Sequence, residues 1–423
     1  MFYSQSRFRV FKTVSQSQST TNQSRKVPVH MLGISQIIAY GALFYAFAPL
    51  KAYIANLLDT SEALVMTILS LAIVTQALLT PLVGSWSDKF GALNVMKIGF
   101  LLGAFGFFGL GALEFEFLTS FYWLGFCFVL IGIGLAMSTY EVAFSAAVQF
   151  DEINSRKNIS IISFYGGVAS TLTWIAIYPL TSMVGLFYAC LVLAFILLGF
   201  SWLISMQRHA QSNPAKQNRF KEKPFRWSLL NTAEKRAMII LASAGGFEYF
   251  LFSATTLLWV NWFMLQFEDA YLAVILASVY GPFQVVGRLI EMKFGHHIDA
   301  RITGLIAGLL IPLSLICLLA GTLPLAILAM ILFGMGHGIL TVSFGFVTNL
   351  YFGADVYGRA KGWIGMPRVV GLAIGPSIGG FLLAYSEHVY ISVMIMFAIS
   401  SALLFAALML IRPTNPVHMA SLR

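Results

Sequence analysis

Apolar residues fill the chain from residue 31 to residue 411 in long runs separated by short polar breaks. A helix needs about 20 such residues to cross about 30 Å of hydrocarbon. Twelve runs meet that length, near 31–54, 63–83, 94–113, 119–149, 158–181, 184–206, 237–263, 271–290, 302–321, 325–351, 360–384 and 389–411. The pattern predicts an all-α integral membrane protein with twelve transmembrane helices, and the count excludes a soluble core.

The pattern also repeats. Gly84-Ser85-Trp86-Ser87-Asp88-Lys89-Phe90-Gly91 returns as Gly287-Arg288-Leu289-Ile290-Glu291-Met292-Lys293-Phe294-Gly295, with a glycine, an acid four residues on and a closing Lys-Phe-Gly. Gly132-Ile133-Gly134 matches Gly334-Met335-Gly336, and Arg156 matches Arg359. Two pseudo-symmetric six-helix halves are expected, 31–206 and 237–411, joined by a basic cytoplasmic linker at 207–236 and flanked by cytoplasmic tails at 1–30 and 412–423.

Composition agrees. With 58% hydrophobic and 10% charged residues and a mean hydropathy of +0.82, the chain cannot cover itself with a polar surface. The net charge of +9 is topological. Arg7, Arg9, Lys12, Arg25 and Lys26 precede the first span, seven bases from Lys216 to Arg236 crowd the linker, and Arg156, Lys157, Arg359 and Lys361 fall in matching loops. The opposite loops carry Asp59, Glu62, Glu114, Glu116, Glu268, Asp269 and Glu387, so both termini are expected in the cytoplasm. No aromatic-interleaved basic domain is present, and no nucleic-acid partner is expected. Residues 1–27, rich in Ser, Gln and Thr and free of acids, read as a solvated tail in preference to a transit peptide. Cys127, Cys190 and Cys317 lie singly in three spans, and His296-His297 lacks further ligands, so neither disulfides nor a metal are expected. No nucleophile elbow, phosphate-cradling loop or soluble nucleotide domain stands out; an enzyme and a bound cofactor are not expected.

Three features together resemble the major facilitator superfamily over nearly the whole length. The Gly84–Gly91 turn is similar to that family's Gly-x-x-x-Asp-x-x-Gly signature, its echo stands at the corresponding place in the second half, and Gly371-Leu372-Ala373-Ile374-Gly375-Pro376-Ser377-Ile378-Gly379-Gly380 resembles the GPxxGG element of its exporters. Ala92 stands where the signature has a base, and Gly166-Gly167 where drug antiporters have a Gly-Pro pair. Tyr140–Phe144, Gly166–Thr171 and Gly281–Arg288 resemble a bacterial branch that includes arsenical efflux permeases. The resemblance implies a secondary transporter of a bacterial inner (plasma) membrane, acting as a monomer.

Candidate chemistry comes from polar residues placed where polarity is expensive. A charge at the bilayer centre costs about 2.5–3.5 kcal/mol on insertion scales, so it faces a cavity or a partner. Glu248 falls near the midplane, about 18 Å along its span. Glu141 is expected to share a helix face with Ser138 and Ser145. Arg368, always charged, needs a counter-charge from Glu248, Glu141 or an anionic substrate. His337, one turn before Thr341, suits a proton relay or a core hydrogen bond. Gln36, Tyr40, Tyr45 and Tyr249 are candidate cavity walls. Gly84, Asp88, Lys89, Gly91, Gly287, Arg288 and Glu291 are expected to form a cytoplasmic gate, with the two carboxylates near neighbouring helix N-termini, and Gly375-Pro376 to mark a bend or a contact between halves.

The expected function is secondary transport of a small molecule by alternating access around a midplane site, with protons as the coupling ion and export as the direction. Two alternatives are open: a facilitator or importer of a small organic anion such as a monocarboxylate held by Arg368, and a sensor that moves nothing.

Overall fold

The structure is a computed structural model that describes residues 28–206 and 225–419; the bases at 7–26 and 216–223 and most of the linker lie outside the described residues. In chain order the longer helices are α1 (Val29–Tyr40), α2 (Phe47–Leu57), α3 (Glu62–Phe90), α4 (Ala92–Gly111), α5 (Phe121–Ser138), α6 (Tyr140–Phe150), α7 (Ser155–Gly167), α8 (Ala169–Met206), α9 (Thr232–Thr256), α10 (Trp259–Phe267), α11 (Ala270–Phe294), α12 (Ala300–Leu318), α13 (Leu323–Tyr351), α14 (Tyr357–Tyr385) and α15 (Glu387–Ala407). Their starts obey local rules. Ser61 accepts the Leu64 amide before α3, Asp269 accepts those of Tyr271 and Leu272 before α11, and Asn231 with Glu234 forms a capping box before α9.

Among the described residues eleven helical spans are long and apolar enough to cross a membrane. The other predicted span, 158–181, is shared between α7 and the start of α8, which part at Val168. Further interruptions fall inside predicted spans. A π-helical turn at Gly41–Tyr45 separates α1 from α2, and Thr139 separates α5 from α6. At Thr139 the extended backbone, with ψ near −170°, interrupts the helical ladder, and the buried Gln36 amide donates to the Ser138 carbonyl at 3.1 Å. Gly185 ends the first part of α8 with φ 78° and ψ 179°, a region that only glycine occupies readily. Gly185→Ala is expected to lower stability by about 1–3 kcal/mol, read as a lower midpoint of thermal unfolding in detergent.

The repeated glycines explain how both copies pack. A Cβ on Gly132 would stand 2.4 Å from the Ala72 carbonyl oxygen of α3, and one on Gly334 would stand 2.3 Å from the Tyr280 carbonyl oxygen of α11. Gly134 meets Gly103 of α4, and Gly336 meets the Ala307 carbonyl of α12. The same residue pair thus sets the same two helix approaches in each copy, as small residues do where lipid offers no hydrophobic drive between helices.

Between the copies, α3 packs on α14, α7 on α11 and α13, and α6 on α14. One group of these contacts runs through Thr80, Gly84, Asp88, Glu152, Ser155 and Arg156 on one side and Glu291, Asn349, Ala354, Gly358, Arg359 and Gly362 on the other. All lie toward the end of the bundle that carries the 84–91 turn, called the basic face below.

Candidate functional site

Arg368 stands eleven residues inside α14, about 16 Å from its start, and is 3% exposed. Of the three counter-charges open to it, it takes Glu141, with Nη1 donating to Oε1 at 3.3 Å. Its Nη2 donates to the Tyr249 hydroxyl at 2.5 Å, and the guanidinium lies 4.3 Å from the Tyr249 ring centroid and 5.4 Å from that of Phe344. Gly245 on α9 makes room for the arginine stem, because a Cβ there would come within 2.6 Å of Arg368 Cγ.

Glu248 belongs to a different pair. Its Oε1 lies 2.5 Å from His337 Nδ1, and Phe252 stacks on the imidazole at 3.9 Å with the planes 7° apart. Glu248 is 2% exposed, and its second oxygen has no protein partner. Since Glu248 and Tyr249 are neighbours on α9, one helical turn carries both the partner of His337 and a ligand of Arg368. Four of the predicted residues, Glu141, Glu248, His337 and Arg368, thus enter two acid–base pairs joined through α9, the Glu248–His337 pair buried and the Glu141–Arg368 pair half-buried on its acid side.

The surrounding expectations need correction. Of the expected stripe only Ser145 shares a face with Glu141, one turn on along α6; Ser138 lies beyond the break at Thr139, and the two hydroxyls donate to the Gly134 and Glu141 carbonyls of their own turns. Thr341 likewise donates to the His337 carbonyl and not to the ring. Gln36 is no cavity wall; it is fully buried and holds Ser138 and Ser35. Tyr40, Tyr45 and Tyr249 are half-buried, with Tyr40 4.8 Å from Tyr140 and 6.5 Å from Tyr45 between ring centroids. Gly375 joins α14 to α9 in its own copy, where a Cβ would meet Ser253 Oγ at 2.1 Å, so it is not a contact between halves; α14 continues as helix through Pro376.

At the basic face the repeat becomes chemistry. Asp88 Oδ1 accepts the Gly358 amide at 2.8 Å, and Oδ2 accepts the Arg359 amide at 2.8 Å and its Nε at 2.9 Å. A carboxylate at the first turn of α14 meets the unpaired amides and the positive end of the helix dipole. Glu291 Oε1 accepts Arg156 Nη2 at 2.6 Å and Nε at 3.2 Å, at the first turn of α7. Arg156 also donates to Thr303 at 3.0 Å and to the Ile298 carbonyl. Each signature acid therefore holds the arginine that opens a helix of the other copy, and those arginines, Arg156 and Arg359, are themselves a repeated pair.

The echo is imperfect. Gly84 faces the other copy, with an added Cβ 2.1 Å from the Gly358 carbonyl oxygen, whereas Gly287 faces Met335 within its own copy. Gly91 turns the chain with φ 87°, while Gly295 keeps φ −60°. Lys89 is exposed, 5.1 Å from the ring of Phe90. Arg288 leaves the ionic contacts altogether and reaches inward to the Ser163 carbonyl of α7 at 2.9 Å, which the Tyr140 hydroxyl also shares at 3.1 Å.

Sequence reasoning placed Lys361 in a loop, but it is wholly buried in α14, with Nζ 3.2 Å from the Phe344 carbonyl and 5.7 Å from the Phe144 ring. Its spacing of seven residues from Arg368, two turns on one helix face, was the available signal. Tyr140, adjacent to Glu141, was missed as a polar contact because tyrosines are common in apolar spans.

The profile of the Major Facilitator Superfamily matches residues 32–366. The chain is similar in structure to the proton:xylose symporter XylE bound to 6-bromo-6-deoxy-D-glucose, with a TM-score of 0.72 and 12% identity over 93% of this chain and 98% of that one. It is also similar to the human organic anion transporter MFSD10, at 0.66 and 16% over 90% and 99%, and to a bacterial homologue of the iron transporter ferroportin in an outward-facing state, at 0.70 and 11% over 90% and 99%. At these identities the likenesses show the fold alone. No curated protein sequence matches the chain. Apolar spans, the paired glycine packing, the two acid–arginine contacts and a family match over most of the length agree: the chain is an integral membrane protein that belongs to the major facilitator superfamily, a family of secondary transporters and not of enzymes.

Proposed function

We propose that the protein is a proton-coupled transporter, here closed on its cytoplasmic side, and that Glu141 with Arg368 and Glu248 with His337 carry the coupling. The observation that supports it most is that two carboxylates, both able to take a proton, are each held by one base inside the bundle. A proton on Glu141 removes the counter-charge of Arg368, and a proton on the Glu248–His337 pair changes its net charge; either event changes what the site attracts. The positive-inside pattern assigns the basic face to the cytoplasm. Closure there by Asp88–Arg359 and Glu291–Arg156 makes this the outward-facing arrangement, and rocking of the halves must break both contacts. Export is the proposed direction, on the resemblance of Gly371–Gly380 to exporters.

The test is pH-gradient dissipation in proteoliposomes when candidate anions, cations and neutral compounds are added. Wild-type protein is expected to move protons with one compound class, and Glu248→Gln to cut that proton flux at least about 10-fold while labelled-substrate exchange continues, since exchange needs no net proton transfer. Substrate flux with no proton movement in the wild type would instead establish a facilitator.

A further inference from the structure

Charge pairing inside the bundle leaves one arginine over. Among the described arginines that are buried or nearly so, Arg156 has Glu291, Arg301 has Asp299, Arg359 has Asp88 and Arg368 has Glu141. Arg288, 4% exposed, has no carboxylate within 4 Å. Lys361 also lacks one, but an amine can become neutral and a guanidinium cannot. A permanent cation inside a membrane protein without a counter-charge is expensive unless something anionic meets it.

The orphaned polar atoms around Arg288 are of one kind. Its Nε has no acceptor, and the hydroxyl of Ser163, fully buried on the facing helix, has no hydrogen-bond partner. Both can donate. The guanidinium sits over the glycine pair that ends α7, where a Cβ on Gly167 would come within 2.3 Å of Nη1, so a larger residue would displace it. Tyr140 lies against it, sharing the Ser163 carbonyl, and Tyr45 is within its electrostatic reach. The next residue after Tyr140 is Glu141, the partner of Arg368. The first turn of α6 therefore runs between the neutralised arginine and the one that is not.

We propose that the transported substrate is a small organic anion whose acidic group, a carboxylate or its phosphonate equivalent, is held by Arg288 and Ser163. The inference rests on the transporter reading of this site but does not need proton coupling. A guanidinium fork presents parallel donors that suit a planar carboxylate. Arg288 is also a link between the copies, so an anion that takes its guanidinium competes with the Ser163 carbonyl and loosens the α7–α11 seam. Binding and opening then draw on the same side chain.

The experiment uses the whole purified chain in detergent, with no gradient, and compares benzoate, succinate and phenylphosphonate with benzamide, succinamide and phenol. Ligand binding raises the thermal midpoint by mass action. At least one anion is expected to protect the wild type more than its neutral counterpart, and Arg288→Gln to weaken that protection roughly 100-fold in apparent affinity. Arg288→Lys, which keeps the charge and so the fold, is expected to retain the preference for the anion with affinity at least about 10-fold weaker. Equal protection by anions and neutral partners, or no protection by any anion, overturns the proposal. So does unchanged affinity in Arg288→Lys or Arg288→Gln. Because the readout is binding, a protein that binds anions but moves no protons defeats only the coupling, and one that couples protons to a neutral or cationic compound defeats only this inference.

Discussion

Arg368→Ala is expected to abolish substrate-dependent proton movement in proteoliposomes and to destabilise the protein by about 3–5 kcal/mol, the cost of breaking a buried ion pair from one side. The substitution leaves Glu141 without its cation and the Tyr249 hydroxyl without its donor, and it empties the space that Gly245 provides. Adding Glu141→Gln removes the uncompensated charge. The double variant is therefore expected to regain much of the thermal stability lost by Arg368→Ala while transport remains absent. That split separates the two things a buried pair does: a structural pair would return both readouts together, and full transport by the double variant would remove Arg368 from the mechanism. Thermal unfolding in detergent and proton flux in vesicles measure the two sides.

Gly84→Ala carries the second large effect, on conformational balance. The added methyl would stand 2.1 Å from the Gly358 carbonyl oxygen, 3.0 Å from its carbon and 3.1 Å from Gly362 Cα, all of them backbone. No rotamer change relieves such a contact, so α3 and α14 must separate or the helices must shift. Overpacking of this kind costs about 1–3 kcal/mol, enough to move a closed-to-open ratio roughly 10-fold or more. Only the state closed at the basic face contains the contact, so the variant is expected to favour opening there. Spin labels at Lys89 and Ile298, on opposite copies, should report a longer mean distance in Gly84→Ala than in the wild type. An unchanged distribution, with the protein folded, would mean that the turn is not what sets the spacing of the halves. Gly287→Ala is a useful contrast, since its methyl would strike Met335 inside one copy and should lower stability without opening the face.

The spans were legible because lipid leaves no other solution: every backbone group must be satisfied within the helix, so long apolar runs betray themselves. The glycine echo was legible for a related reason, since Gly132 and Gly334 meet carbonyls where nothing larger fits. Arg368 and Glu248 stood out as charges too deep to be incidental, but their partners did not. Glu141 and His337 lie 227 and 89 residues from them along the chain, and nothing local indicates which acid finds which base. The break at Thr139 was invisible too. It carries no proline or glycine, and it persists because Gln36 supplies a hydrogen bond from 102 residues away. Arg288 is expected in the cytoplasmic gate by its place in a repeated turn; the length of its side chain carries the charge to Ser163 instead. Lys361 was misread for the same reason, as a base near a helix start counted with the loop.

The interruptions also divide the molecule mechanically. The fourth and fifth spans are jointed, at Thr139 and Val168, while their counterparts in the second copy, α13 and α14, run unbroken for 29 residues each. Arg288, Arg368, Glu248 and His337 ride on helices of the second copy that stay helical through their length, although Pro282 and Pro367 each remove a ladder hydrogen bond near Arg288 and Arg368; Glu141 sits beside a joint. A joint has already given up ladder hydrogen bonds, so it bends at little further cost, whereas a rod must break them to bend. Bending is therefore expected at Thr139 and Val168 before it is expected in α13, which makes the first copy the more compliant jaw at those two spans.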